Sequence, residues 1–419
     1  MKFIITEAMV YDSGKLSRLD VAVDGERVEF LTPDVSDYTD TAVFSFPNHT
    51  IFPGFVDVHT HLREPGFSYK ETIATGTRAA ARGGFTTICS MPNLDPVPDS
   101  LENLRQQQKI IARDAVVNVL PYASITVGQA GMALADMESL APHVVGFTDD
   151  GRGVQSEAVM RAAMIEAARL GKLIVAHCED NSLLHGGYIH DGEYALAHGH
   201  RAISSESEWR QLERDLRLVR ETGCAYHVCH ISAKESVELI RAAKAEGLDV
   251  TCEVTPHHLL LRDSDLREDG NFKMNPPLRS AEDKAALISG CLDGTIDMIA
   301  TDHAPHSAEE KGRGLEGSLF GIVALETCYP LLYTHLVKTD IMSLERLVEM
   351  MTTAPAQRFK ITQSSADFSI WDLTTEYAID PAELISLGKS MPFEGWKVSG
   401  KCAMTVVGGV IKYQEVYKA

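Results

Sequence analysis

Two features are missing from this 419-residue sequence, and each absence excludes a class of protein. No apolar run approaches the roughly 18 residues of a membrane-spanning helix, so the sequence does not predict a membrane span. None of the eight cysteines belongs to a C-x-x-C pair, which argues against a cysteine-ligated zinc site. Most of the cysteines lie in apolar runs, where small buried thiols of a reducing compartment are the simpler interpretation.

Positive charge is also scarce. Lys and Arg number 39 against 59 Asp and Glu, which gives a formal net charge of −20. This balance argues against nucleic acid or an anionic membrane as a partner, but not against a small anionic substrate, because such a substrate responds to local charge. The N-terminus lacks the long apolar segment and small-residue cleavage site of a secretory signal, so we expect a cytoplasmic protein.

What the sequence does contain is a series of short apolar runs, with helix-like stretches between most of them. Polar residues lie at or near the carboxyl end of many of these runs, where a (β/α)8 barrel carries its active site. We therefore predict an α/β fold with a (β/α)8 barrel over residues 53–363. The eight runs cover residues 55–61, 85–93, 116–124, 143–150, 173–180, 225–232, 250–258 and 297–305.

The two ends of the chain have a different pattern. Residues 1–52 and 364–419 read as short alternating strands separated by glycine-bearing turns, with few helical patterns. We predict that the two ends together form one small β-sandwich beside the barrel.

A metal site is predicted where the stretch "PGFVDVHTHLREPG" (53–66) places His59 and His61 two positions apart. Side chains at i and i+2 of a strand point to the same face, and imidazole is a common metal ligand. Such a pair alone is weak, because core or surface histidines also produce it. His177, His230 and Asp302 strengthen the prediction, since each ends a different strand. Nitrogen and oxygen ligands without thiolates suit zinc, and also manganese, cobalt or iron.

Arg63 continues the alternation of His59 and His61. A guanidinium next to metal ions needs an anion between them, and a substrate carboxylate held by a bidentate pair would fit. The alternative is a salt bridge from Arg63 to Glu64 or another acid. Asn93 could donate to the same carboxylate, or it could simply form the turn before "LDPVPD".

Several motifs together resemble a known family. Over about residues 50–330 the sequence is similar to the bacterial dihydroorotases of the class I type, within the amidohydrolase superfamily. The motifs are "PGFVDVHTHLREPG", "ARGGFTTICSMPN", "FTDDG", "AHCED", "YHVCHIS", "KMNPPLRS" and "IATDHAPH".

The resemblance implies an activity and a metal centre. The expected reaction is the reversible hydrolysis of L-dihydroorotate to N-carbamoyl-L-aspartate in pyrimidine synthesis, with one or two zinc ions per chain. Many relatives bridge two metals with a carboxylated lysine after strand 4, but "HVVGFTDDG" has no lysine there. The resemblance places Asp150 at the bridging position, with Asp149 as the weaker candidate, and gives Asp302 the role of proton carrier.

The resemblance also implies substrate contacts and partners. Asn275, His306, Phe320 and Gly321 match substrate-binding positions, although this sequence has Leu319 where the family usually has proline. The stretch 306–322 is Gly-rich and charged, and we expect a loop over the barrel mouth. Relatives commonly form homodimers, and some associate with an aspartate carbamoyltransferase.

Two other functions compete with this one. A hydantoinase- or allantoinase-like enzyme would share the fold, but the missing strand-4 lysine together with Arg63 and Asn93 argues against it. A metal-free scaffold relative would have lost some of the ligands, and none is missing here. His257 and His258, in "TPHHLLL", have no place in the family's ligand set, so we interpret them as structural.

Overall fold

The computed structural model describes residues 2–12, 14–33 and 41–415. Its strands are β1 (Lys2–Thr6), β2 (Met9–Asp12), β3 (Lys15–Arg18), β4 (Asp20–Asp24), β5 (Arg27–Leu31), β6 (Ala42–Ser45), β7 (His49–Pro53), β8 (Phe55–Thr60), β9 (Phe85–Ser90), β10 (Asn118–Pro121), β11 (Gly146–Phe147), β12 (Leu173–Ala176), β13 (Ile189–His190), β14 (Ala202–Ile203), β15 (Tyr226–Val228), β16 (Val250–Val254), β17 (Met298–Ile299), β18 (Phe368–Ala378), β19 (Lys397–Val407) and β20 (Val410–Gln414).

The α-helices are α1 (Ile73–Arg82), α2 (Leu101–Asp114), α3 (Met137–Leu140), α4 (Glu157–Leu170), α5 (Glu193–His198), α6 (Glu206–Thr222), α7 (Lys234–Ala245), α8 (Pro256–Leu260), α9 (Ala281–Asp293), α10 (Ala308–Lys311), α11 (Gly314–Gly317), α12 (Cys328–Leu332), α13 (Leu344–Met351) and α14 (Thr353–Arg358). Within the described ranges, no helix combines the length and apolarity needed to cross a bilayer.

Eight parallel strands close into a ring. Strands β8, β9 and β10 pair side by side, and so do β11, β12, β15, β16 and β17. Parallel bridges from Ala123 to Phe147 and from Thr60 to His303 join the two sets at both ends. Each of the eight strands lies within one of the predicted apolar runs, and most of their residues are buried, as expected for strands covered on both faces.

Local sequence explains where several of the outer helices begin and end. The side chain of Ser156 caps α4 by accepting a hydrogen bond from the Val159 amide, and α4 stops at Gly171 in the left-handed conformation, at φ 64°. Helix α1 stops at Gly83, whose φ of −79° is not left-handed. Serine before a helix and glycine after it are residues commonly found at helix ends. By contrast, α7 begins without a side-chain cap.

The two ends of the chain meet in two further sheets. One has the strand order β20-β19-β18-β7-β2-β3 and so combines both termini, and the other has the order β5-β4-β1-β6. A single apolar cluster contains buried residues of both sheets, including Phe3, Val23, Ile370 and Met404. Residues 1, 13, 34–40 and 416–419 of the predicted terminal parts lie outside the described residues.

Candidate metal and substrate site

The carboxyl ends of the barrel strands bring six predicted side chains together. His59 lies on β8 and His61 just beyond it, whereas the others follow β11, β12, β15 and β17 within three residues. All six are buried, with at most 7% of each residue exposed. The six are His59, His61, Asp150, His177, His230 and Asp302.

Asp150 lies between two groups of these side chains. On one side its Oδ1 is 3.4 Å from His59 Nε2 and its Oδ2 is 3.5 Å from His61 Nε2. On the other side the same Oδ1 is 3.8 Å from His177 Nδ1 and 3.7 Å from His230 Nε2. One carboxylate therefore faces both pairs of histidines, which is the placement expected of a ligand between two cations.

Asp302 joins the first group. Its Oδ1 is 3.0 Å from His61 Nε2 and 3.4 Å from His59 Nε2. Two of the site residues, His230 and Asp302, have positive φ angles of 28° and 46°. Such conformations are unfavourable for residues other than glycine and persist where surrounding structure enforces them, often at functional sites.

The donor atoms fit a divalent cation. Among the described residues, His59 Nε2 and Asp150 Oδ1 are buried without a hydrogen-bond partner, although an unpaired buried polar atom is costly. Two groups of three that could hold a metal are His59, His61 and Asp302, and His59, Asp150 and His230. Buried imidazole and carboxylate donors in this arrangement suit zinc and related metals.

Charge favours ionised carboxylates here. Burial alone would raise the pKa of Asp150, but His59 and His230 outweigh it and hold that pKa well below its usual range. The pKa of Asp302 is likewise lowered, because His59 and His61 outweigh the effect of burial. Both carboxylates are therefore charged at neutral pH and able to bind a cation or accept a proton.

A carboxylate that the sequence analysis missed orients His59. Glu253, on β16, lies 2.6 Å from His59 Nδ1 through its Oε1 and 3.0 Å from His227 Nε2 through its Oε2. A carboxylate on Nδ1 fixes the tautomer that leaves Nε2 free for a metal. The alternation of "CEVTP" could have indicated that Glu253 points into the barrel, but not which histidine it meets.

Hydrogen bonds distinguish the two aspartates of "TDDG". Asp149 accepts from the backbone amides of Ile125 at 2.8 Å and Thr126 at 3.1 Å, and also from the Thr126 hydroxyl. Asp149 therefore anchors the loop after β10, and both of its carboxylate oxygens accept hydrogen bonds from that loop. Asp150 instead turns toward the histidines.

We expect Asp150→Ala to lose bound metal, because it removes the carboxylate that faces both groups of histidines. Asp149→Asn should keep the metal, since an amide oxygen can still accept from the Ile125 and Thr126 amides. Elemental analysis of the two purified variants, alongside thermal unfolding, measures this. Metal loss confined to the Asp149 variant would contradict the assignment.

The second part of the site surrounds Arg63. Its Nε donates to the Pro305 carbonyl at 3.2 Å, and its Nη2 is 3.4 Å from His306 Nε2. In the part of the chain described, no carboxylate lies within 4 Å of the guanidinium nitrogens, so the alternative, a salt bridge from Arg63 to Glu64 or another acid, is not formed. Lys70 lies on the other side of His306, with its Nζ 3.3 Å from His306 Nδ1.

His306 is neutral and its proton can be placed. Burial, Arg63 and Lys70 lower the pKa of His306 to about 3. Its Nε2 lies 2.8 Å from the Phe320 carbonyl oxygen, which can only accept, so Nε2 carries the proton. Because His306 Nε2–H donates to the Phe320 carbonyl, His306 does not accept from Arg63 Nη2, which lies 3.4 Å away and can donate to a bound anion instead.

The remaining predicted substrate residues are engaged within the protein. The Asn93 amide donates to the Asp150 carbonyl at 2.7 Å, and its buried Oδ1 has no hydrogen-bond partner among the residues described. Asn275 donates to Glu179 at 3.0 Å. Gly321 donates its backbone amide to the Lys273 carbonyl at 3.1 Å. Phe320 is partly exposed, with 36% of its surface accessible.

Of the neighbouring histidines His257 and His258, one is hydrogen-bonded among the described residues and the other is not. His258 lies between the Thr255 hydroxyl at 2.7 Å and the Pro276 carbonyl at 3.0 Å, which agrees with the structural interpretation. His257 is 1% exposed, and neither ring nitrogen has a hydrogen-bond partner among the described residues.

A closed (β/α)8 barrel whose strand ends gather four histidines and two carboxylates has the architecture of the amidohydrolase class. A sequence model described as "Dihydro-orotase-like" matches residues 48–236. The chain is 50% identical over 417 residues to a protein of Fusobacterium nucleatum named dihydroorotase, with 98% of each chain covered. It is 51% identical to the protein of that name from Anoxybacillus flavithermus, over 97% of each chain. The chain therefore belongs to the dihydroorotase family.

Solved structures agree on the fold. The L-hydantoinase (dihydropyrimidinase) from Arthrobacter aurescens superposes with a TM-score of 0.87 at 27% identity, and the match covers 100% of this chain and 98% of that one. A dihydropyrimidinase from Brevibacillus agri gives a TM-score of 0.85 at 22% identity, covering 99% and 95%, and shows the fold alone. These likenesses confirm the predicted barrel.

Proposed function

We propose that this chain is a dihydroorotase, a cyclic amide hydrolase that interconverts L-dihydroorotate and N-carbamoyl-L-aspartate in a metal-dependent reaction. One observation carries the choice of substrate. The Arg63 guanidinium lies beside the metal-binding cluster with no carboxylate partner among the described residues and faces the neutral His306. Dihydroorotate offers a carboxylate on a ring whose amide would reach the cluster.

In the proposed assignment, His59, His61, Asp150, His177, His230 and Asp302 would hold the metal, with Asp150 as the bridge. A divalent ion held there would lower the pKa of a water molecule and polarise the ring amide carbonyl. Arg63, Asn93, Asn275 and His306 would orient the ring, together with the backbone of Phe320 and Gly321. Such orientation supplies a large part of many rate enhancements.

Asp302 would carry the proton in this reaction. In the hydrolytic direction it accepts a proton from the attacking water. As the amide C–N bond breaks, it delivers that proton to the departing ring nitrogen. Its lowered pKa keeps it ionised at neutral pH, which is the form that a proton acceptor requires. Water and the cyclic amide thus become a carboxylic acid and a ureido NH2 group, and the acid then releases its proton to solvent at neutral pH.

Activity of the zinc-loaded protein on dihydroorotate, with hydantoin and allantoin in parallel, tests the proposal. We expect turnover of dihydroorotate well above that of the other two, since neither presents a ring carboxylate to Arg63. Preference for hydantoin would favour the hydantoinase-like alternative. No turnover of any of the three by protein that also binds no metal would favour the metal-free scaffold alternative.

Metal removal gives an independent prediction. Zinc or a similar divalent ion should copurify at one to two equivalents per chain, by the two-metal logic of the cluster. Chelation should abolish turnover, and zinc should restore it. Elemental analysis and activity before and after chelation measure this. Full activity in protein with no detectable transition metal would contradict the proposed site.

The resemblance supports finer proposals. We assign the chain to the bacterial class I type, with zinc as the metal. We also propose that it is cytoplasmic and forms a homodimer. Some relatives associate with an aspartate carbamoyltransferase, and we propose the same association for this chain. We also propose a β-sandwich built from residues 1–52 and 364–419 beside a barrel of residues 53–363. The shared apolar cluster of the terminal sheets supports that division.

A further inference from the structure

We propose that Lys311 is a positioning residue whose ammonium group holds the 319–321 segment in the conformation that meets the substrate. This inference rests on the proposed function, because it concerns the loop that would close the dihydroorotate site. Lys311 ends helix α10 within the stretch 306–322. Only 6% of the residue is exposed.

Within the described part of the chain, the hydrogen bonds of the Lys311 ammonium are all to backbone carbonyls. Its Nζ donates to Leu319 and Gly321, each at 2.8 Å, and to Lys273 at 2.9 Å. No carboxylate lies within 4 Å of this nitrogen in the described part of the chain. A buried ammonium without a counterion is costly, so its three charge-assisted hydrogen bonds must offset that cost.

The three carbonyls explain the residue type. An ammonium has three N–H donors, which equals the number of acceptors here, whereas a neutral amine has two. The carbonyls on both sides of Phe320 are directed to Lys311, and the Phe320 carbonyl itself is directed to His306. Two side chains of the 306–311 segment therefore bind three successive carbonyls and fix the backbone that precedes Gly321.

The same contacts connect the loop to the barrel. Gly321 donates to the Lys273 carbonyl, which also accepts from Lys311, so the loop shares one hydrogen-bonded junction with a residue two positions before Asn275. Lys273 places its own Nζ 4.7 Å from the centre of the Phe320 ring and donates to the Glu316 carbonyl. Without Lys311, the loop would keep these contacts but lose the hydrogen bonds to the Leu319 and Gly321 carbonyls.

The protonation state of Lys311 provides a second way to observe the effect. Burial, and next the charge of Lys273, lower the pKa of Lys311 to about 7, against a smaller opposite effect of Asp269. The other charged groups of the loop form ion pairs: Glu310 with Lys70, Glu316 with Arg201, and Glu309 with Arg313. The ammonium is therefore complete below about pH 7, and one of its three donors is lost as the pH rises through that value.

The test compares Lys311→Met with Lys284→Met in zinc-loaded protein. Lys284 is a matched control, since its Nζ also donates to a backbone carbonyl, that of Leu260, but it lies in α9. For Lys311→Met we expect the KM for dihydroorotate to rise roughly 10- to 100-fold, as losing hydrogen bonds to a charged group predicts, with kcat changed less than about threefold. The control should match wild type in both constants.

Trypsin supplies a readout that does not need activity. Arg313 is exposed at the centre of the loop, and cleavage after it can be followed by mass spectrometry. We expect faster cleavage at this bond in Lys311→Met than in wild type or Lys284→Met, at temperatures where all three are folded. Unchanged KM and unchanged cleavage would overturn the inference. A fall in kcat as large as the rise in KM, in a variant with a lower unfolding temperature, would also overturn the inference.

Wild-type protein keeps the inference testable if Lys311→Met does not fold. Its KM for dihydroorotate should rise between pH 6 and 9 as Lys311 loses its proton, and a flat KM across this range would overturn the inference. Absence of wild-type turnover on dihydroorotate would instead reject the proposed function. In that case, the rate of cleavage after Arg313 in folded Lys311→Met would still test the role of Lys311.

Discussion

Asp302→Asn should reduce kcat for dihydroorotate by about 10²- to 10⁴-fold, the range that general acid–base groups typically contribute. The amide keeps the size of the side chain and an oxygen that can face His61, 3.0 Å away in the structure. It cannot accept a proton from water or return one to the ring nitrogen. Steady-state kinetics in both directions of the reaction measure the effect.

Because Asp302 also lies 3.4 Å from His59, the variant can lose metal as well as its proton carrier. Turnover is therefore expressed per bound metal, from elemental analysis of the same sample, and thermal unfolding checks the fold. The expected result is a severe loss even in fully loaded protein. Near-normal turnover per metal would remove Asp302 from the proton pathway.

Arg63→Met should lower kcat/KM for dihydroorotate by at least roughly 30-fold, because removing one partner of a desolvated charge pair costs about 2–5 kcal/mol. Arg63→Lys should fall between wild type and Arg63→Met, since lysine offers a point charge in place of a planar fork. Neither change should alter metal content, because the Arg63 contacts are with Pro305 and His306.

A substrate without a ring carboxylate is the control for this pair of variants. Any slow hydrolysis of hydantoin should be the same in wild type and Arg63→Met, which separates loss of recognition from damage to the metal cluster. Full dihydroorotate activity in Arg63→Met would place the carboxylate elsewhere, and the proposed substrate would then give way to an unspecified cyclic amide.

The sequence was most informative where strands end. His59, His61, His177, His230 and Asp302 could be predicted to converge because each follows a strand of one parallel barrel, whose carboxyl ends meet at one mouth. The barrel strands themselves were recognisable as apolar runs. Asp149 and Asp150 are adjacent in sequence, and the pattern alone could not show which of them accepts hydrogen bonds from Thr126 and which faces the histidines.

Contacts between elements that are distant in the sequence could not be predicted. Glu253 meets His59 across the barrel, and Lys311 meets carbonyls that a loop folds back toward it. Neither contact produces a periodic pattern in the sequence, because each depends on how separate segments of the chain pack together. The sequence indicated a loop over 306–322 but not its two short helices, α10, which Ser307 caps, and α11, which begins without a side-chain cap.

The bridge between Thr60 and His303 has a consequence for biosynthesis. It joins the first barrel strand to the last, so a chain emerging from the ribosome presents His59 and His61 long before Asp302 exists to complete the set. Strand β7, which immediately precedes the barrel, also pairs with β18 beyond its end. Tight metal binding is therefore expected only after nearly the whole polypeptide has been released, so that metal uptake marks the completion of folding.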